Sequence, residues 1–186
     1  MLYWADFRES IWYATIGSPP AQHAVGTPGT SELDAIATDE AYVYWTDLGY
    51  RTIARMPLGG GPVEQLTQTT GSLVRLAVDS SHLYWSEIAD DGATGLVKRM
   101  PKTGGAVTPV ATQEAVPVAL AVQASYLYLA TCGSGENTGW VSRVPVNGST
   151  APEVLADSLD CPMGIVLDQQ YVYWAEFGGR IVRLAR

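Results

Sequence analysis

A four-residue motif recurs five times in this chain of 186 residues and sets its repeat length. Each copy has an aromatic or apolar pair, then a small residue and, in four copies, a carboxylate. The copies are Tyr3-Trp4-Ala5-Asp6, Tyr44-Trp45-Thr46-Asp47, Tyr84-Trp85-Ser86-Glu87, Tyr128-Leu129-Ala130-Thr131 and Tyr173-Trp174-Ala175-Glu176. Their second positions lie 41, 40, 44 and 45 residues apart. Self-similarity at this period indicates a repeat architecture in which each repeat is one supersecondary unit.

Each repeat has the pattern of four short strands, called A to D here, joined by turns. In the repeat at 33–72, strand A ends near Asp39, and strands B, C and D are predicted at 42–46, 52–58 and 62–67. Because clusters of Gly, Pro, Asn and Asp separate β-branched and aromatic runs, the chain is predicted to be all-β. The repeats lie near 1–32, 33–72, 73–116, 117–161 and 162–186, within one domain.

Strand B is apolar on both of its alternating faces, as in Tyr42-Val43-Tyr44-Trp45. A sheet with one face in water would instead alternate apolar and polar residues. Repeated four-stranded sheets that are covered on both faces stack around an axis, so the sequence predicts a β-propeller.

The motif, its period and the Val-Asp pair that ends the preceding strand resemble the YWTD-repeat propellers of the low-density-lipoprotein receptor family. Bacterial secreted proteins with VYW…RVP…GG repeats are also similar. The resemblance covers essentially the whole chain, although the copy at 128–131 departs from the motif. It implies that the motif's Trp and carboxylate side chains are structural and tie neighbouring blades together. These residues are Trp4, Trp45, Trp85, Trp174, Asp6, Asp47, Glu87 and Glu176.

The phase of the repeats predicts an incomplete ring. The chain begins in strand B and ends in strand C, so the first blade lacks strand A and the last lacks strand D. We therefore expect a partial or open propeller of about four to five blades, either part of a larger ring or an arc that pairs with another copy or chain. Exposed edge strands favour such self-association. A compact five-bladed ring with two three-stranded blades is the alternative.

Charge and hydropathy exclude several partners. The formal net charge is −8, whereas nucleic-acid or anionic-membrane binding calls for a basic surface. No apolar run reaches the roughly 20 residues of a transmembrane helix, so no membrane insertion is expected. No basic segment leads into an apolar one after Met1, so no signal peptide is predicted within these residues.

The positions that would line the central channel carry few metal or acid–base ligands. Aligning the A strands places Asp34, Val74, Val118 and Met163 at equivalent inner positions, and three of these are apolar. The sequence therefore predicts no catalytic residue, cofactor or metal site. Glu32, Asp34 and Arg75 form a candidate polar patch at the ligand face, with a solvated rim as the alternative.

One arginine repeats in strand C of the last four repeats, at positions 55, 99, 143 and 183. These side chains would either pair with nearby carboxylates or form a basic ring for an anionic ligand. The acidic composition favours pairing.

The two cysteines, Cys132 and Cys161, are disulfide candidates. Cys132 follows a strand B, and Cys161 lies between strand D and the next strand A. In an antiparallel blade these two connections emerge on the same side of the disk, in neighbouring blades. A disulfide would place the chain in an oxidising compartment, either extracellular, periplasmic or in the cell envelope. Two buried thiols are the alternative.

The connections between strands B and C are Gly-, Asp- and Asn-rich and share the side of the candidate disulfide. Because binding residues concentrate on loops held by a rigid scaffold, Tyr50, Arg51 and Trp140 are candidate ligand contacts. The favoured hypothesis is a non-enzymatic scaffold that binds a protein or glycan. The alternative is a fragment of a lactonase- or lyase-type propeller enzyme whose active site lies partly in further blades.

Overall fold

The computed structural model describes residues 1–5, 10–17, 23–26, 32–92, 94–113 and 115–186, in which all regular structure is β-strand. The strands form five antiparallel sheets that follow one another along the chain as blades 1 to 5. Blades 1 and 2 contain β1 (Leu2–Ala5), β2 (Ile11–Ala14), β3 (His23–Gly26), β4 (Leu33–Thr38), β5 (Tyr42–Asp47), β6 (Thr52–Pro57) and β7 (Glu64–Gln68). Blade 3 contains β8 (Ser72–Val78), β9 (His82–Ile88), β10 (Gly95–Pro101) and β11 (Thr108–Gln113). Blades 4 and 5 contain β12 (Pro117–Gln123), β13 (Tyr126–Thr131), β14 (Gly139–Pro145), β15 (Glu153–Leu159), β16 (Pro162–Leu167), β17 (Tyr171–Glu176) and β18 (Ile181–Ala185).

The predicted phase is confirmed. Blade 1 is a three-stranded sheet in which β1 carries the first motif copy, so its strands are B, C and D. Blade 5 is a three-stranded sheet of strands A, B and C, whereas blades 2 to 4 have all four strands. Strand D of blade 2 begins at Glu64 and not at Pro62, because proline has no N–H for the ladder and Gly61 is still turning at φ 144°.

Apolar cores lie between neighbouring blades. Between blades 1 and 2, Ile11 packs with Val43 and Trp45. Between blades 2 and 3, Tyr44 packs with Trp85 and its neighbours, and blades 3 to 5 are joined in the same way. Strand β5 thus buries one face against each neighbouring blade, as its doubly apolar pattern predicts.

An aspartate after strand A closes the A–B turn in three blades. In blade 2, Asp39 accepts hydrogen bonds from the backbone N–H groups of Ala41 and Tyr42, each at 2.8 Å, and from the Tyr44 hydroxyl at 2.9 Å. The same pattern recurs around Asp79 in blade 3 and Asp168 in blade 5. The first tyrosine of the motif is therefore linked to the end of the preceding strand.

Arg55 and Arg143, two of the repeated arginines of strand C, pair with carboxylates of their own blades, and Arg55 Nη1 also donates to the Lys102 carbonyl of blade 3. The guanidinium carbon of Arg55 lies 4.4 Å from the ring centroid of Tyr42, and its Nη2 lies 2.8 Å from Glu64. Arg143 binds Glu153 at 2.8 Å in the same way. These contacts support the paired, structural interpretation of the arginines over a basic ring.

Replacing Asp39 with asparagine should flatten the acid side of the pH–stability profile. Burial opposes the charged form, but hydrogen bonds from Lys102, two backbone N–H groups and Tyr44 outweigh it and lower the pKa of Asp39 from 3.8 to about 2. A carboxylate with a lowered pKa stabilises the fold above its unfolded-state pKa, and this contribution is lost as the pH falls through the folded-state value. Between about pH 5 and pH 2 the original chain should lose roughly 2 kcal/mol of its free energy of unfolding through this group. The variant should not show this loss.

Urea unfolding at a series of pH values measures this effect. The matched control is Asp90→Asn, on an exposed loop. In this variant the free energy of unfolding should depend on pH as it does in the original chain. An Asp39→Asn profile parallel to that of the original chain would contradict the assignment.

Strand A carries an irregularity at the same point in blades 2 to 5. The ladder from strand A to strand B shifts register once in each blade, near the start of β4, β8, β12 and β16. The residues passed over in these shifts include Asp34, Val74, Val118 and Met163. A bulge of this kind re-aims a side chain and leaves it outside the regular pairing.

Candidate binding face

The strand connections divide the disk into two faces. The A–B and C–D turns emerge on one side, because neighbouring strands are antiparallel. The B–C loops and the D–A linkers emerge on the other side, which we call the loop face. Its B–C loops are 48–51, 89–94, 132–138 and 177–180, and its linkers are 69–71, 115–116 and 160–161.

Tyr50 and Arg51 lie in the B–C loop of blade 2, where backbone hydrogen bonds hold them tightly. The Tyr50 N–H donates to Asp47 Oδ1 at 3.0 Å, and the Arg51 carbonyl accepts from the Thr69 N–H at 2.8 Å. Arg51 Nη1 also donates to the Thr70 carbonyl at 2.6 Å. The Tyr50 side chain is nevertheless 57% exposed. The loop therefore presents an aromatic side chain to solvent from a hydrogen-bonded backbone.

The predicted polar patch lies beside this loop. The Glu32 carbonyl accepts a hydrogen bond from the Leu48 N–H at 2.9 Å, which connects the start of strand A to the B–C loop. Arg75 of blade 3 forms an ion pair with Asp34 of blade 2 at 3.4 Å, and both side chains are partly exposed. The first contact connects Glu32 to the B–C loop of blade 2, and the second connects Asp34 to blade 3. We call these five predicted residues the blade 2–3 rim: Glu32, Asp34, Tyr50, Arg51 and Arg75.

Trp140, the remaining predicted contact, lies elsewhere. It is the second residue of β14 in blade 4, where it pairs with Thr131, and its side chain is half-buried. The structure places it two blades from Tyr50, so it is not part of the blade 2–3 rim.

A disulfide joins Cys132 to Cys161 on the loop face. It connects the B–C loop of blade 4 to the linker that enters blade 5. The same linker accepts a hydrogen bond from the Phe177 N–H at the Asp160 carbonyl, at 3.0 Å. Gly178 lies close beside it, because a Cβ at this position would be 2.6 Å from Asp160 Oδ2 and the aspartate side chain would have to move. Blades 4 and 5 are therefore braced together on this face.

Replacing both cysteines with serine should lower the free energy of unfolding by about 3 kcal/mol, since the disulfide closes a loop with a sequence separation of 29. Urea unfolding of the original and variant chains measures the loss. Intact mass before and after reduction provides the control, because the bridged chain gains two hydrogens on reduction. Two free thiols in freshly purified, unreduced protein would contradict the disulfide.

Most of the motif tryptophans and carboxylates that the structure describes are buried. Trp45, Trp85 and Trp174 are buried in blades 2, 3 and 5, and Trp4 in blade 1 is half-buried. Asp47 is buried at the end of β5, whereas Asp6 lies outside the described residues.

The buried carboxylates bind the tryptophan two residues earlier in the motif. Glu87 accepts from Trp85 Nε1 at 3.1 Å and pairs with Lys98 of strand C in the same blade. Glu176 accepts from Trp174 Nε1 at 3.2 Å, and hydrogen bonding from Arg180 keeps the pKa of Glu176 below its usual value. These bonds lie within one blade, and the role of the carboxylates in tying blades together stays a prediction.

A hydroxyl in the motif, which the sequence patterns did not single out, does bridge two blades. Ser86 Oγ is buried in blade 3 and donates to the Pro117 carbonyl of blade 4 at 2.9 Å. The sequence signal that could have found it is its position between Trp85 and Glu87, which puts Ser86 on the opposite face of the strand from those two residues. Period-2 alternation turns this face towards the next blade.

Among the described residues, no three His, Cys, Asp or Glu side chains are grouped in a way that would bind a metal ion. The same residues contain no helix with the length and apolar character needed to cross a membrane.

Comparison with known proteins identifies the fold from structure alone, because no family model and no curated protein matches the sequence. A chain from the crystal structure of a nidogen/laminin complex superposes with a TM-score of 0.83 at 18% identity, covering 98% of this chain and 70% of that chain. A TolB-type protein from Agrobacterium tumefaciens matches with a TM-score of 0.70 at 17% identity, over 94% and 73% of the two chains. Virginiamycin B lyase from Staphylococcus aureus matches with a TM-score of 0.55 at 14% identity, over 83% and 55%. These similarities show the fold, an open β-propeller whose blades carry the five phased motif copies.

Proposed function

We propose that this chain is a non-enzymatic scaffold that binds a protein ligand through the blade 2–3 rim of its loop face. The observation that carries the proposal is Tyr50, which is more than half exposed on a loop held by hydrogen bonds to Asp47, Thr69 and Thr70. Tyrosine and arginine are enriched among the residues that dominate protein–protein affinity. A tyrosine side chain also has only two χ angles to fix, so its conformational entropy cost on binding is low.

The charges around Tyr50 favour a protein over a glycan as the ligand. Arg75 pairs with Asp34, and Arg51 is the residue after Tyr50, so the blade 2–3 rim contains both signs of charge and an aromatic ring. Such a mixed rim matches a protein surface, on which complementary charges select the partner and its orientation. A neutral glycan would stack on Tyr50 and gain little from the charges.

The disulfide supports an oxidising location for this activity. A Cys132–Cys161 bridge persists outside the cytosol, in an extracellular, periplasmic or cell-envelope setting. The fold neighbours include both a chain from a nidogen/laminin complex and a lyase. Three of the four strand-A positions predicted to line the channel are apolar here, which supports binding over catalysis.

Site-specific photocrosslinking tests the proposal. One protein carries benzoyl-phenylalanine in place of Tyr50, and a matched protein carries it in place of Thr103, which is exposed in the C–D turn on the opposite face. Both are irradiated in the extracellular fraction of the source organism. We expect position 50 to yield a discrete protein adduct, which mass spectrometry can identify, and position 103 to yield none.

A second variant controls for the rim charges. Arg51→Glu should reduce the yield of the same adduct at least tenfold, because it reverses a charge beside the probe, whereas Thr103→Glu at an exposed position on the opposite face should not. Equal adducts from positions 50 and 103, or an adduct insensitive to Arg51, would overturn the proposal. Binding to a glycan array that Tyr50→Ala abolishes would replace the protein ligand with a glycan.

A further inference from the structure

Two hydroxyl groups are buried in blade 4 without a hydrogen-bond partner among the described residues. Thr131 at the end of strand B and Ser142 in strand C are both 0% exposed. In the part of the chain that the structure describes, no polar atom lies within hydrogen-bond distance of Thr131 Oγ1 or Ser142 Oγ. A buried hydroxyl without a partner costs free energy, because it gives up its hydrogen bonds to water on folding. The burial of this pair therefore points to a partner other than the surrounding side chains.

The two hydroxyls lie on one face of blade 4, which is turned towards blade 3. Strand pairing places Ser142 opposite Leu129, two residues before Thr131. The two hydroxyl-bearing residues are therefore diagonal neighbours on the same face, at a separation that one small group can bridge. Leu129 packs with Val97 of blade 3. Because side chains alternate between the faces of a strand, Thr131 and Ser142 also face the junction of blades 3 and 4.

Blade 3 fills the equivalent positions with its buried ion pair. Glu87 stands where blade 4 has Thr131, and Lys98 stands where blade 4 has Ser142. The motif tryptophan that donates to Glu87 is a leucine in blade 4, so this donor is missing as well. Because the side chains of blade 4 are shorter by several atoms, the two hydroxyls do not reach each other as the charged groups of blade 3 do.

The backbones of blades 3 and 4 meet closely around this pair. A Cβ at Gly95 would lie 2.4 Å from the carbonyl oxygen of Ala115, which belongs to the linker that enters blade 4. Ser86 Oγ donates to the Pro117 carbonyl across the same junction. The two hydroxyls are thus closed off from bulk solvent, and their partner must be small.

The chemistry of the pair favours a water molecule over an ion. A hydroxyl group both donates and accepts hydrogen bonds, and water can answer in either role. A cation such as Ca²⁺ takes about six to eight oxygen ligands, whereas this pair supplies two hydroxyl oxygens. A buried ion of either sign would also lack a counter-charge here, which is strongly unfavourable.

We propose that Thr131 and Ser142 form a binding site for one buried water molecule, which bridges the two hydroxyls at the junction of blades 3 and 4. The water takes the place that the ammonium and carboxylate groups fill in blade 3. Buried waters typically make about three hydrogen bonds to polar groups that have no other partner. Blade 4 thus keeps a polar interior at this point of the repeat with bound solvent and without charge.

Thermal unfolding of three variants tests the site: Thr131→Val, Ser142→Ala and the double variant. Each single substitution removes one partner of the water and leaves the other hydroxyl buried, so we expect Tm to fall by about 2–4 °C. The double variant removes both partners together, so its Tm should fall by less than the sum of the two single losses. The control is Ser86→Ala, which measures the loss of one buried hydroxyl that has a direct protein partner.

A high-resolution crystal structure of the original chain locates the water directly. We expect electron density for one oxygen atom within hydrogen-bond distance of both Thr131 Oγ1 and Ser142 Oγ. The same density should be absent from the double variant.

Three results would overturn the proposal. The first is a Tm that rises in both single variants, because each substitution would then have removed an unpartnered hydroxyl. The second is a loss in the double variant that equals the sum of the single losses, because the two hydroxyls would then act independently. The third is a crystal structure in which both hydroxyls bind protein atoms, or in which an ion occupies the site.

Discussion

Replacing Trp85 with alanine is expected to lower the free energy of unfolding by about 3–5 kcal/mol. Trp85 is fully buried in blade 3, and it packs with Tyr44 and Ile53 of blade 2. The substitution removes this apolar contact and leaves a cavity at the junction of two blades. It also removes the indole N–H that donates to Glu87, so a buried carboxylate loses a hydrogen bond. Urea unfolding followed by circular dichroism measures the loss.

The control for this prediction is Tyr50→Ala, which truncates an aromatic side chain on an exposed loop. It should change the free energy of unfolding by less than about 1 kcal/mol. Trp85→Phe separates the two contributions of the indole, because it keeps most of the apolar volume and removes only the N–H. A Trp85→Ala variant as stable as Tyr50→Ala would show that blades 2 and 3 do not depend on this contact.

The second large effect is expected from Lys98→Met, which should lower the free energy of unfolding by about 3 kcal/mol. Glu87 is 0% exposed and is paired with Lys98, whose side chain is mostly buried at the surface of blade 3. Methionine retains the length of the lysine stem but leaves a buried carboxylate without a counter-charge. Equilibrium unfolding in urea near neutral pH measures the loss.

A double variant tests the cause of this loss. In Lys98→Met combined with Glu87→Gln, the charge is absent and the glutamine oxygen still accepts from Trp85, so most of the stability should return. The coupling between the two positions comes directly from the double-mutant cycle. If the double variant is as unstable as the sum of the two single variants, the ion pair does not explain the role of Lys98.

The architecture was predictable because the repeated motif specifies both a period and a phase. Tyr44 and Trp45 point to opposite faces of one strand, and their burial on both sides requires a blade on each side. Counting strands from the motif then predicts that blade 1 lacks strand A and blade 5 lacks strand D, as observed. The Cys132–Cys161 pair follows from the same count, because it places both connections on the loop face.

The candidate binding face was less predictable, because it depends on contacts between residues that the repeat does not relate. Asp34 and Arg75 form an ion pair across two blades, although the repeat aligns Asp34 with Val74. Trp140 is of a residue type that is common in binding sites, but it lies half-buried in another blade. The hydrogen-bonding roles of Asp39 and Ser86 were not predicted either. Asp39 accepts from backbone N–H groups of a turn, and Ser86 donates to a backbone carbonyl of the next blade. Composition does not reveal such partners.

The shifted register of strand A gives this scaffold one position per blade, in blades 2 to 5, at which a side chain can change without changing the sheets. In blades 2 to 5 the irregularity releases one residue from regular pairing, at positions 34, 74, 118 and 163. A side chain installed there would disturb few ladder hydrogen bonds, so its cost to stability should be small.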